Sequence, residues 1–232
     1  MAGNSSSIEV LPNLLSDHVF TDQMRQVAQH TADTRREAAF VVYGDDTAYQ
    51  VSDVVTGTKS FDFIDDADYD SVDMAALIYR GHQQLRDDII LGLHSHPLDS
   101  HPRPPREALV DDATYLDFHN LRGQFTHHHR VNLFPSYDDT VLYSRINELN
   151  PGHVGAILTT DAAVSLAGLV FYRHTTPKSP EVSPFDDDFT PSKETMIPRM
   201  TAVGFAVIEA DYKYAENVYT PTIDEIVKTL VN

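Results

Sequence analysis

The sequence predicts an α+β domain, in which helical and strand periodicities alternate along one chain. Three observations carry this. Residues 17–33 place Val19, Phe20, Met24, Val27 and Ala28 at helical spacing. Short apolar runs rich in β-branched residues recur at 37–44, 49–55, 89–96, 153–159 and 163–172. The chain has 232 residues, which at roughly 100–200 residues per domain allows one large domain, or one domain with an appendage.

Taken in order, residues 1–16 are polar and then weakly apolar, and read as a flexible start. The helix over 17–33 leads into a strand at 37–44, closed by Gly44, Asp45 and Asp46 as a turn. A second strand at 49–55 makes the pair a hairpin. After an acidic loop, Asp70 or Ser71 can cap a helix running to about 86, with Met74, Leu77, Ile78 and Leu85 inward. Residues 89–96 form a buried strand, and a stiff loop with four prolines follows at 97–105. Another helix is expected from about 105 to 119, then a polar irregular stretch to 150. Strands at 153–159 and 163–172 follow. Residues 174–200 are rich in Pro, Ser and Asp and read as a linker or a long loop. The rest holds an apolar stretch at 201–208 and a helix at 222–230. The expected division is a flexible 1–16, a domain over 17–175, and a C-terminal extension over 176–232.

Charge narrows the function. Lys plus Arg number 17 against 35 Asp plus Glu, a formal charge of −18. Such a chain repels phosphates, which argues against nucleic acid and anionic membranes as partners. There is no cysteine, so disulfide frameworks, thiol nucleophiles and thiolate zinc sites are excluded. No apolar run reaches the roughly 18 residues of a membrane span, and the first residues lack the basic and apolar blocks of a signal peptide. The reading is a soluble cytoplasmic protein. Asp outnumbers Glu 26 to 9, and acidic pairs recur at 45–46, 65–66, 87–88, 111–112 and 138–139. A surface of this kind is tolerated where salt screens it, as in haloarchaea or their viruses. An ordinary acidic protein is the alternative.

The densest polar signal is His94-Ser95-His96-Pro97 at a strand end. Residues two apart on a strand share a face, so His94 and His96 point the same way and can grip one zinc ion. A helix carrying Asp111 follows, and its carboxylate can complete a His-His-Asp set. Glu37 opens an upstream strand, from which it can face the site as a general base. Three protein ligands with one open position make a catalytic zinc site rather than a structural one.

These residues, in this order, resemble the JAMM signature of the MPN-domain (Mov34/PAD-1-like) zinc metalloproteases: a glutamate on the first strand (Glu37), His-Ser/Thr-His-Pro (residues 94–97), and Ser-x-x-Asp on a helix (residues 108–111). The resemblance covers roughly residues 18–175. It implies a curved mixed sheet flanked by helices, similar to that of cytidine deaminases. It implies zinc held by His94, His96 and Asp111, with Glu37 as general base toward the attacking water. The implied reaction is cleavage of isopeptide bonds to ubiquitin-like proteins, in archaea the small archaeal modifiers, so the implied partner is a protein substrate. The chain departs from the signature twice. The gap from His96 to Asp111 is longer by a few residues, which makes Asp112 a rival ligand and sets Glu107 nearer the usual distance. Ala108 stands where the family has the serine that supports the oxyanion, and Ser100 is a substitute donor in the longer loop. A scaffold with weakened or lost catalysis, acting through protein contacts, is the alternative function.

Other polar residues have plainer readings. His127, His128 and His129 are consecutive and cannot share one strand face, so they read as an exposed loop. His101 and His119 flank the site and read as surface residues. Ser95 reads as structural, turning the chain at the strand end.

Overall fold

The computed structural model describes residues 7–34, 36–44, 48–56, 88–96, 135, 146, 152–160, 163–175, 193–202 and 204–231. Four helices and eight strands lie among them. They are α1 (Ser7–Ser16), α2 (His18–Thr34), β1 (Ala38–Gly44), β2 (Tyr49–Val51), β3 (Val55–Thr56), β4 (Asp88–Ser95), β5 (Val154–Thr160) and β6 (Leu166–His174). After these come α3 (Lys193–Ala202), β7 (Phe205–Lys213), β8 (Val218–Thr220) and α4 (Ile223–Val231). The strands form one open sheet in the order β2-β1-β4-β5-β6-β7-β8, with β3 also pairing with β1. All the neighbours are antiparallel except β4 and β5, which run parallel. The fold is therefore mixed α and β, with a mostly antiparallel sheet flanked by helices.

Strand alternation divides the sheet into two faces. One face presents Phe40, Val42, Leu91, Leu93, Ala156, Leu158, Leu169 and Phe171, which form one core with the apolar sides of α1, α2 and α4. Phe20 of α2 meets Phe40 of β1 edge-on, with centroids 5.5 Å apart, a geometry worth about 0.5–1.5 kcal/mol beyond the area it buries. The other face presents Ala39, Val41 and Ile89, with Ile146 packed against them. A bulge in the β1–β4 ladder at Val42/Tyr43 shifts the register, so Tyr43 lies opposite Ile89 while Val42 lies opposite Leu91.

Local chemistry fixes the element ends. Asp17 separates α1 from α2 and caps α2, its carboxylate accepting from the Val19 amide at 2.8 Å. The Tyr49 hydroxyl of β2 donates to the same carboxylate at 2.6 Å. Asp17 is held below the usual carboxylate range, chiefly by that bond. Burial, with Asp17 adding to it, pushes Tyr49 up to about 12. Gly44 turns the β1–β2 hairpin at φ +138°, where a Cβ would run into the Ala48 carbonyl. Thr222 and Glu225 form a reciprocal capping box at the start of α4: the Thr222 amide donates to the Glu225 carboxylate at 2.9 Å, and the Glu225 amide donates to Thr222 Oγ1 at 3.4 Å.

The structure departs from the sequence reading at both ends. Residues 7–16, expected to be flexible, are the helix α1. Its Leu11, Leu14 and Leu15 are buried against the sheet, despite Pro12 inside the helix. Within the expected C-terminal extension, β7 pairs with β6 over nine residue pairs and α4 packs on α1 and β7, so both are built into the sheet and its helical layer. The helix α3 (Lys193–Ala202) takes up the last residues of the stretch 174–200 expected as linker or long loop, and the first two of the expected apolar stretch. The helices expected at 71–86 and 105–119 lie outside the described residues. No helix among the described residues is long and apolar enough to cross a membrane.

One buried histidine ties this core to pH. His153, just before β5, is 2% exposed, with Nδ1 3.4 Å from the Ile89 carbonyl. Burial pushes its pKa from the usual 6.5 of an imidazole down to about 4. The unfolded chain then binds a proton more readily than the folded one. This contribution to stability is complete above the unfolded value and is lost as pH falls from there through the folded value. It amounts to on the order of 3 kcal/mol. Urea midpoints at neutral and mildly acid pH should therefore differ much less in His153→Gln than in the wild-type protein. Equal pH dependence in the two would show that His153 is not the group responsible.

Candidate metal centre

The candidate site lies at one end of the sheet, where the C-terminal ends of the parallel pair β4 and β5 meet the N-terminal end of β1. Ligands in open sheets gather outside the carboxyl ends of parallel strands. His94 is the penultimate residue of β4, and His96 follows the strand, its amide still donating to the Leu158 carbonyl of β5 at 2.8 Å. Because β4 stays extended past its end, both rings project from the face opposite α1, α2 and α4. Their Nε2 atoms approach to 3.0 Å, with ring centroids 4.9 Å apart. His94 is buried and His96 is partly exposed.

This pair suits a shared cation. Two ring nitrogens at 3.0 Å fit an N–H···N hydrogen bond between neutral imidazoles, and a metal ion can take the place of that proton. Tetrahedral zinc with Zn–N bonds of about 2.0–2.1 Å sets two imidazole nitrogens about 3.3 Å apart. The rings need to separate by only a few tenths of an ångström to meet that bite. Two neutral imidazoles and no thiolate, with the remaining positions filled by carboxylate or water, form a donor set typical of catalytic zinc.

Glu37 stands one residue before β1. Ala39 lies opposite His94 in the β1–β4 ladder, so alternation carried one residue past the strand puts Glu37 on the face of the two histidines, level with His96. The side chain is partly buried. Asp111, Asp112, Glu107, Ser100, Ala108, His101, His119 and the run 127–129 all lie outside the described residues. Among the described residues, no group of three or more His, Asp or Glu side chains gathers around one point. The structure thus brings together His94, His96 and the start of β1.

Two residues at this end have no counterpart in the sequence reading. Thr159 of β5 continues the β4–β5 register beside His96. Its hydroxyl is buried and has no hydrogen-bond partner among the described residues. Thr31 of α2 is buried on the helix's apolar stripe with Phe20, Met24, Val27 and Ala28. Its hydroxyl lies 2.5 Å from that of Ser95. A hydroxyl at a core position of an amphipathic helix was the available signal, since a buried hydroxyl needs a partner. Ser95 does not merely turn the chain. It points away from the histidines, accepts from the Ala38 amide at 2.9 Å and donates to the Ala38 carbonyl at 3.2 Å.

No protein-family model matches the chain, and no curated protein matches it significantly.

Proposed function

We propose that the protein is a zinc-dependent isopeptidase or peptidase of the JAMM type, acting on ubiquitin-like conjugates at high salt. The observation that carries this reading is the convergence of the His94 and His96 Nε2 atoms to 3.0 Å at the end of β4, beside the start of β1. Zinc would be held by His94 and His96, with Asp111 or Asp112 supplying the carboxylate, and when bound it polarises a carbonyl and makes water acidic near neutral pH. Glu37 takes the proton of the water that attacks the scissile carbonyl carbon. It returns that proton to the lysine amine as the C–N bond breaks, leaving a carboxylate and a free amine. The mixed sheet, with the histidines at the end of a central strand and the glutamate at the start of its neighbour, is consistent with an MPN-like arrangement.

Ala108, in the place of the signature's serine, favours a second reading, a scaffold that has lost turnover and works through protein contacts. The test is an isopeptide-linked conjugate incubated with the purified protein in molar salt. The enzyme reading expects cleavage that a chelator stops and added zinc restores. Zinc binding without cleavage of any conjugate supports the scaffold.

A further inference from the structure

The Ser95 hydroxyl has one proton to give and two lone pairs to fill, and three partners surround it: the Ala38 amide, the Ala38 carbonyl and the Thr31 hydroxyl. It donates to the Ala38 carbonyl at 3.2 Å and accepts from the Ala38 amide at 2.9 Å. The same oxygen shares a 2.5 Å hydrogen bond with the Thr31 hydroxyl, in which either can be the donor. One side chain therefore holds both backbone groups of Ala38, and a helix residue holds that side chain. Ala38 is the neighbour of Glu37, and Ser95 is the neighbour of both His94 and His96. All of these hydroxyls lie on the face opposite the imidazoles, among buried groups: Thr31 is 4% exposed, and Ser95 and Ala38 are fully covered.

We propose that Thr31 is a positioning residue. Its hydroxyl, acting through Ser95, locks the start of β1 against the end of β4 and so sets Glu37 relative to the His94–His96 pair. This rests on the reading of Glu37 as the general base. Neither Thr31 nor Ser95 touches the reacting atoms. The β1–β4 ladder runs up to Ala39 and His94, and the Ser95 clasp on Ala38 extends that hold by one residue toward Glu37. Without the clasp, Ala38 keeps its pairing with Thr56 of β3 but is no longer tied to the end of β4. Misplacing a base by about an ångström can cost as much as a hundredfold in rate.

The test compares Thr31→Val, which keeps the shape and loses the hydroxyl, with Thr31→Ser, which keeps the hydroxyl. Thr31→Ala replaces the valine variant if that one does not fold. Two measurements are made on the full chain: amide hydrogen exchange at Ala38, and kcat, KM and zinc content in conjugate cleavage. Thr31→Val should exchange at Ala38 roughly two- to tenfold faster, in line with loss of one net hydrogen bond. Its kcat should fall roughly tenfold with KM and zinc content unchanged, and Thr31→Ser should restore both. Wild-type exchange at Ala38 in Thr31→Val overturns the proposal, as does faster exchange with unchanged kcat. If the wild-type protein cleaves nothing, the reading of its function has failed, and the exchange measurement alone still decides whether Thr31 holds Ala38.

Discussion

Replacing His96 with alanine should strip the protein of zinc. The imidazoles of His94 and His96 meet at 3.0 Å between their Nε2 atoms, so removing one leaves a single nitrogen and whatever carboxylate completes the site. Loss of an outer-shell partner alone costs roughly 10–100-fold in metal affinity, and loss of a ligand should exceed that. His96 makes the cleaner variant because its ring is partly exposed, whereas His94 is 2% exposed and its truncation also leaves a cavity. His94→Ala should lose zinc as well, and in addition lower the unfolding midpoint. Competition titrations against a chelator of known affinity measure the first effect. Zinc affinity equal to wild type in both variants would remove the metal centre from the account.

Glu37→Gln should do the opposite, keeping zinc and losing turnover. The amide has the shape of the carboxylate and can still hydrogen-bond a water, but it cannot accept a proton at neutral pH. Loss of a general base commonly costs about 10²–10⁴ in rate. Single-turnover cleavage of a conjugate, with zinc content measured on the same sample, separates the two roles. A Glu37→Gln protein that cleaves at the wild-type rate would make Glu37 an ordinary residue at a strand start.

The pairing of these two variants matters because the site is assembled from distant parts of the chain. The two histidines are legible in the sequence because their spacing is local: His-x-His on a strand can only point one way. The strands β1, β4, β5 and β6 are legible for the same reason, each being a short apolar run bounded by turn residues. The helices α2 and α4 declare themselves by apolar spacing, and α4 also by its Thr222–Glu225 cap. What local pattern cannot show is which strands become neighbours. The parallel pairing of β4 with β5 joins segments separated by more than fifty residues, and the Thr31–Ser95 contact spans 64 positions.

The misreadings have physical causes as well. The helix α1 contains Pro12 and α3 contains Pro198, and proline inside a helix is locally unfavourable by about 3 kcal/mol. In α1 that cost is outweighed by burial of five apolar side chains, Ile8, Val10, Leu11, Leu14 and Leu15, at roughly 1.5–3 kcal/mol each. In β7, acidic residues at Glu209 and Asp211 interrupt the apolar pattern that marks a strand, although the ladder to β6 runs on to Lys213. The strand β8 has three residues, too few for any period to register.

The central claim is that His94 and His96 hold one metal ion, and X-ray absorption at the zinc edge addresses it most directly. The protein, loaded with one equivalent of zinc and freed of excess, should show nitrogen and oxygen neighbours at about 2.0–2.2 Å, with no sulfur. The outer-shell scattering should correspond to two imidazoles, falling to one in His96→Ala at forced metal excess. A protein that retains no zinc after loading, or whose zinc shows the same imidazole scattering with and without His96, would contradict the account.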